Sequence, residues 1–407
     1  MDGAAELSLG QRVAVLRKLR GLTQEGLALR LNRSTSWVTK IERGARRIDS
    51  MAVLQELARA LAVPVHQLTG RSDPAAMDGN SAAGDDLTEL RRALDRSGAI
   101  AHGSSTEEPP RVDDLCQEAA ALRQLYNTSA RNFSAVVPLL AGLINEAQRA
   151  AVLASGHDRL AAYASLSAFY RIASLELRQR GDLTRARVAV DRALMAAEQA
   201  DNGLLVASIA ATMTVQLMIQ GDPEDAVALA LDAAEHVRRQ PNADTPPGMV
   251  VFGALYLYAA QAAARAQDST EALRLLKVAS EVSADLGQDR EDYCLIFGPT
   301  NVAIQESGIL VDLGEPTRAV QRAEKVRPER LRSVNRSGYH HLHLARAHGM
   351  RGKDQAAISA VMTAHRIAPE LVRHDPIARE LVRDVARRRR RIDGQLRSLA
   401  RDMNIFL

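Results

Sequence analysis

Cysteine is nearly absent. Cys116 and Cys294 are the only two in 407 residues, which excludes a disulfide framework and fits a reducing compartment. The N-terminus lacks a charged start followed by an apolar stretch and a small-residue cleavage site, so the expected location is the cytoplasm. No glycine-rich phosphate loop, nucleophile elbow or paired-carboxylate motif is present, and catalysis has no sequence support. The one histidine cluster, His340, His341 and His343 with His348 nearby, has no carboxylate or cysteine at ligand spacing, so no metal and no cofactor is expected. Gly203–Gly221 carries no charge, but its Ser208, Thr212, Thr214, Gln216 and Gln220 suit a buried helix better than a membrane span.

Strand-like alternation is scarce as well. From about residue 112 the chain reads as helix after helix, which points to an all-α protein. Its length exceeds one compact core, so two or more units are expected. Charge is divided unevenly between them: residues 1–70 hold eleven Lys and Arg against six Asp and Glu, and the rest holds 42 against 43. The positive excess therefore sits in the N-terminal segment, where it can neutralise a polyanion.

Within that segment, residues 22–44 read as two short helices joined by a turn. Leu22, Leu27, Ala28, Leu31, Val38 and Ile41 bury one shared apolar face, and Thr23 and Ser34 stand at N-cap positions. Ser8 and Gln11 have capping-box spacing and open a preceding helix with Leu9, Val13 and Leu16 inward. Ser50 caps a fourth helix carrying Val53, Leu54, Leu57, Ala58 and Leu61, and Pro64 suits the first position of a fifth.

This five-helix order, with Leu-Thr-Gln-Glu at 22–25, Ile-Glu-Arg-Gly at 41–44 and Val-Pro-Val-His-Gln-Leu-Thr-Gly at 63–70, resembles the Cro-repressor/XRE family of bacterial DNA-binding domains. The resemblance covers residues 1–70 and implies a lambda-repressor-like fold and double-stranded operator DNA as partner. It places the second helix of the motif in the major groove with Thr35, Ser36, Thr39 and Lys40 at base edges, Lys40 donating to guanine. Gln24, Ser34, Trp37 and Arg43 would hold phosphates, as would Arg46 and Arg47 in the following loop. For Trp37 the alternative is packing against its own domain. Arg17 and Glu42 match the positions of a structural ion pair. Two departures stand out: Asn32 replaces the usual turn glycine, and Gly26 lies inside the first motif helix at a cost of about 0.5–1 kcal/mol relative to Ala.

Residues 71–111 read as a flexible linker with a short amphipathic helix at 86–96, carrying Leu87, Leu90 and Leu94. From 112 to 374 the chain repeats. The turns Gly181-Asp182, Gly221-Asp222, Gln267-Asp268, Gly314-Glu315 and Gly352-Lys353 are followed, five residues after each first member, by Ala186, Ala226, Ala272, Ala319 and Ala357. Seven residues before them stand Ser174, Thr214, Ala260, Ser307 and Ala345. This pattern of small residues resembles the tetratricopeptide repeat, at spacings of 40, 46, 47 and 38 in place of about 34.

The resemblance implies a superhelix of paired helices, the first helix of each pair lining the concave side. A ligand pocket is accordingly expected from Tyr170, Gln216, Tyr256, Gln261, Asn301, Gln305, Tyr339 and His343, with the long turns at 241–247 and 288–299 closing over it. Packing between repeats is the competing use of each tyrosine. Residues 375–407 are expected to form a terminal amphipathic helix whose stripe, Leu381, Val385, Ile392, Leu396 and Leu399, joins two copies into a homodimer. The run Arg387–Arg391 reads as a solvated face.

The sum is an all-α, cytoplasmic and nucleoid-associated transcriptional regulator. It is expected to bind operator DNA through its N-terminus and to sense a signalling peptide or small metabolite through its repeats, without membrane attachment. The alternative is a DNA-anchored scaffold that recruits proteins; an enzyme is not expected.

Overall fold

The computed structural model describes residues 8–20, 22–46, 48, 51–61, 63, 68, 83–95, 110–388 and 394–405. The N-terminal segment folds into α1 (Leu9–Leu19), α2 (Gln24–Arg30), α3 (Thr35–Glu42) and α4 (Met51–Ala60). Ser8, Thr23 and Ser34 start the first three, each hydroxyl accepting a backbone N–H three residues on, at 3.0, 2.9 and 3.1 Å. The Gln11 side chain accepts the Ser8 N–H at 2.7 Å and completes the capping box. Asn32 takes φ 49° in the turn between α2 and α3, a conformation that Asn tolerates better than most residues. Val13, Leu27, Val38, Leu57 and Leu61 form a fully buried core. The fifth helix expected after Pro64 lies outside the described residues, apart from Leu68, which is buried.

The crossing of α1 over the end of α3 has no room for a side chain at Gly10, because a Cβ there would overlap the carbonyl oxygen of Ile41. The Glu42 carbonyl oxygen crowds the same place, and since both obstacles are backbone, neither can rotate away. Gly10→Ala is expected to cost about 1–3 kcal/mol through overpacking, read as a lowered urea midpoint of the full chain. An unchanged midpoint would show that α1 and α3 have slack at this crossing.

The helix α5 (Ala83–Asp95) docks Leu90 and Leu94 into the first core of the following array. That array comprises α6 (Val112–Thr128), α7 (Asn132–Leu153), α8 (Gly156–Arg180), α9 (Leu183–Gln199), α10 (Gly203–Gln220), α11 (Pro223–Arg238), α12 (Pro246–Arg265) and α13 (Ser269–Leu286). It continues through α14 (Pro299–Asp312), α15 (Pro316–Ala323), α16 (Val334–Met350), α17 (Asp354–Ile367) and α18 (Pro369–His374). The repeat marks are the helix-ending turns: Gly181, Gly221, Gln267, Gly314 and Gly352 have φ of 85°, 102°, 63°, 79° and 71°, the left-handed stop that reverses the chain into a second helix. The alanine five residues after each is at most 1% exposed, as close helix approach requires. Ser174 donates to the Ala186 carbonyl at 2.9 Å, tying two signature positions of one repeat together.

Among the described residues three helices, α7, α10 and α12, are long and apolar enough to cross a membrane, yet 50%, 61% and 67% of their most apolar windows is buried inside the protein. Their apolar character is used in helix packing. One exception to the helical pattern falls in the turn at 288–299. The strands β1 (Arg290–Asp292) and β2 (Leu295–Phe297) pair antiparallel, Arg290 opposite Phe297. Tyr293 and Cys294 form the two-residue turn, both left-handed at φ 49° and 56°.

The C-terminal stripe differs from expectation. The described residues of 375–407 hold two helices, α19 (Pro376–Arg388) and α20 (Gly394–Asp402). Leu381, Val385, Leu396 and Leu399 are at most 5% exposed, packed with Leu342, Ile358, Val361 and Leu371 of the same chain. An apolar stripe buries itself against the nearest apolar face, and α16 to α18 supply one. These residues are therefore not a free dimer surface; Ile392 lies outside the described residues.

Candidate functional sites

The ends of α1, α2 and α3 meet in one polar network. Arg17 donates from Nε and Nη2 to the two Glu42 carboxylate oxygens at 2.6 and 3.0 Å, and from Nη1 to the Leu22 carbonyl at 2.7 Å. Gln24 donates to Glu42 at 2.7 Å and accepts from the Thr39 hydroxyl at 3.0 Å. Burial pushes the Glu42 carboxyl up, but hydrogen bonds from Arg17 and Gln24 and the charges of Arg17 and Lys18 outweigh it and hold the group below its ordinary value. The hydrogen bond to Glu42 raises Arg17 in turn. The network fixes α3 against its neighbours, and Gln24 and Thr39 are both engaged in it.

That leaves Thr35, Ser36, Lys40 and Arg43 exposed along α3 and its end, with Ser34 exposed at the cap. Trp37 is 9% exposed and packs in the N-terminal core. The guanidiniums of Arg33 and Arg46 each lie 5.9 Å from its ring centroid, a range in which cation–π attraction operates. Trp37 and the exposed Arg46 border a cleft of about 830 Å³ whose other wall, on the array, includes Asp312, Met350 and Asp354. Arg47 lies outside the described residues.

The N-terminal helices are seated on the array at a second place, which the sequence did not reveal. Arg12, 9% exposed, pairs with Glu380 of α19 at 3.3 Å and donates to the Leu68 carbonyl. Ile377 of α19 joins the N-terminal core, and Gln55 and Arg59 of α4 donate to the carbonyls of Met218 and Gly221 at the end of α10. The available signal was an arginine set between the inward-facing Leu9 and Val13.

The array curves until its ends touch. Asn132 donates to the Asn335 side chain at 3.1 Å, Asn335 to the Tyr126 carbonyl at 3.3 Å, and the Ser134 N–H to Glu370 at 3.2 Å. Its first helices thus surround a lumen. Tyr126, Tyr258, Arg265, Arg336 and His343 on these helices are half-buried. The hairpin lies across it, with Glu291 held by Arg123 and Asn127 of α6 at 3.1 and 2.8 Å, and the Tyr293 carbonyl by Arg171 of α8.

The expected pocket residues divide in two. Tyr170 is 4% exposed with its hydroxyl bonded to Gln148, Gln216 donates to Ser174 and the Ala186 carbonyl at 2.7 and 2.9 Å, and Asn301 donates to the Ile296 carbonyl at 2.6 Å. These three hold helices and hairpin together. Tyr339 stacks on His343 at 6.3 Å beside Arg336, Gln261 donates to Gln305 at 3.2 Å, and Tyr256 packs on Phe252 at 4.8 Å. Burial, reinforced by Arg346, pushes His343 down to about 3, and burial with His341 pushes His340 down to about 4, so both imidazoles are neutral. Burial pushes the fully enclosed Glu176 up to about 8 despite Arg180 and Arg178. Arg171, Arg178 and Glu176 on α8, and Arg336 on α16, were not read from the sequence. The seven-residue spacing of Arg171 and Arg178, which puts them on one face of a helix, was the legible sign. Among the described residues no group of three or more His, Cys, Asp or Glu could hold a metal ion.

Residues 8–69 match the family described as "Helix-turn-helix domain". The HTH-type transcriptional regulator YazB of Bacillus subtilis (strain 168) is 42% identical over 59 residues, which span 14% of this chain and 84% of that protein. The chain belongs to the HTH-type transcriptional regulators. It is a DNA-binding regulator of transcription, with a helical-repeat array behind the DNA-binding helices. The immunity repressor protein of Bacillus phage phi105 is 29% identical over 118 residues, 27% of this regulator and 81% of the repressor. Two solved structures are more distant: Bacillus thuringiensis PlcR in complex with the peptide PapR7 and DNA (18% identity, TM-score 0.29, 70% of this chain and 96% of that one), and ComR from S. thermophilus in complex with DNA and its signalling peptide ComS (12%, 0.20, 76% and 99%). Likenesses at these scores carry no inference about this regulator's ligand.

Proposed function

We propose that the regulator reads operator DNA through Thr35, Ser36 and Lys40, with Thr39 at the edge of the contact, and holds phosphates through Ser34, Arg43, Arg46 and Arg47, with Gln24 and Trp37 positioning the helix beside them. The carrying observation is an exposed polar row on a helix that the Arg17–Glu42 network locks in place. Residues 1–70 form the DNA-binding unit, 71–111 the linker, 112–374 the array and 375–407 its C-terminal closure. The array responds to a ligand, a peptide fragment or a small metabolite, held in the lumen, and passes its state to the DNA-binding helices through the Arg12–Glu380 seat. Operators of this class are read by paired helix-turn-helix units, so the active form is a homodimer, joined through a surface other than the Leu381–Leu399 stripe. Its place is the cytoplasm, on the nucleoid.

Lys40→Ala and Arg46→Ala separate the two kinds of DNA contact. Lys40→Ala should lose discrimination at particular base pairs, by about 1–3 kcal/mol. Arg46→Ala should weaken all duplexes alike and reduce the salt slope by about one. Competition binding at several salt concentrations measures both. Uniform loss in Lys40→Ala would move it to the phosphates, and an unchanged slope in Arg46→Ala would remove it from the interface.

A further inference from the structure

Three arginines of the lumen lack an ion-pair partner among the described residues, and the carboxyl nearest in effect to Arg178, Glu176, is pushed up by burial to about 8. Arg265 and Arg346 share Asp312. Among the described residues, by contrast, neither Arg171, Arg178 nor Arg336 has an ion-pair partner. Arg171, 4% exposed, donates to Ser208 at 3.3 Å and to the Tyr293 carbonyl, and its Nε has no acceptor. Among the described residues the Arg336 guanidinium donates to the Tyr258 hydroxyl alone, at 3.1 Å. The buried Nε of Arg178 has no acceptor among the described residues. An enclosed guanidinium without a counter-charge is costly, since its hydration is lost and no attraction replaces it.

The surrounding groups register the same field. Burial alone would raise the Tyr258 phenol, but Arg336, Arg171 and Arg178 more than reverse it and its net direction is down. Arg178 and Arg336 both act on Tyr126 and Tyr258, and Arg336 is bonded to the Tyr258 hydroxyl while its neighbour Asn335 donates to the Tyr126 carbonyl. The joined ends of the array and the hairpin limit what can enter to something compact.

We propose that the lumen is a binding site for a small organic anion, whose carboxylate or phosphate is held by Arg178 and Arg336 and whose body lies among Tyr126, Tyr258 and Tyr339. The arginines form charge-assisted and, for a carboxylate or phosphate, bidentate hydrogen bonds, and the phenols supply flat, partly apolar walls. This rests on the reading of the array as ligand-responsive and narrows the ligand to one chemistry.

The test uses the full chain and three probes of similar size, benzoate, phenyl phosphate and benzylammonium, in calorimetric titration at low salt. At least one anion should bind saturably at one per chain, benzylammonium should not, and the preferred anion tells a carboxylate source from a phosphate source. Arg178→Gln and Arg336→Gln should each weaken that anion by at least about tenfold. Absence of binding by both anions, equal binding of the cation, or affinity unchanged in both variants overturns the proposal. If the variants do not fold, the wild type decides: the difference titration against Tyr258→Phe should show the Tyr258 phenol moving up when the anion neutralises its neighbours, and an unmoved phenol overturns the proposal. A regulator that selects its operator yet binds no anion loses this inference alone.

Discussion

Replacing Arg17 by Ala is expected to lower the stability of the N-terminal helices by about 3–5 kcal/mol, because a buried pair is broken from one side. The Glu42 side chain is 6% exposed, so it keeps its desolvation and loses its bidentate partner. Trp37, the single tryptophan, lies in this core and reports its unfolding directly. The pH dependence should change with it. In the wild type Glu42 is held below its unfolded value of 4.5, so its stabilisation is present above that value and is lost as pH falls through the folded one. In Arg17→Ala burial dominates and raises the group, so near that pH stability should decline as pH rises. An unchanged midpoint and an unchanged acid limb would show that the pair contributes nothing.

Phe297→Ala should have a comparable effect on the array, about 3–5 kcal/mol for a large aromatic removed from a closed site. Phe297 is fully buried, and it lies so close to Gly253 of α12 that a Cβ there would overlap the ring. The hairpin has a particular dependence on this anchor, since Tyr293 and Cys294 hold left-handed conformations at about 1–3 kcal/mol each. Without the ring, residues 288–298 should relax first. Hydrogen exchange should show their protection falling further than that of α12 and α14, and an even loss across the array would contradict the anchoring role.

The repeat register was legible because its chemistry is local. A left-handed residue must end each first helix and a small residue must stand where the second helix crosses, so Gly181 with Ala186 or Gly352 with Ala357 can be recognised from spacing alone. Asn32 in the turn and Ser8, Thr23 and Ser34 at the caps are local in the same sense. Partners distant in sequence leave no such trace. The apolar stripe of α19 and α20 is plain, but whether it meets another copy or Leu342 and Val361 of its own chain is settled by a fold-back that no spacing encodes. The joining of Asn132 to Asn335 and of Arg12 to Glu380 is of the same kind. The hairpin escaped for another reason, as a Tyr-Cys turn lacks the Asn-Gly signature of left-handed pairs. Within α3 the outward placement of Thr35, Ser36 and Lys40 followed from helical spacing, while the engagement of Gln24 by Glu42 and of Thr39 by Gln24 emerged only when the three helices were brought together.

The most direct measurement is selection of bound duplexes from a random-sequence pool by the full chain, repeated with Thr35 and Lys40 both replaced by Ala. The wild type should enrich a defined motif, with half-sites about 10 base pairs or a multiple apart. The double variant should lose the motif and keep salt-sensitive binding to unrelated DNA. A wild type that enriches no motif, or a variant that enriches the same one, would contradict operator reading by α3.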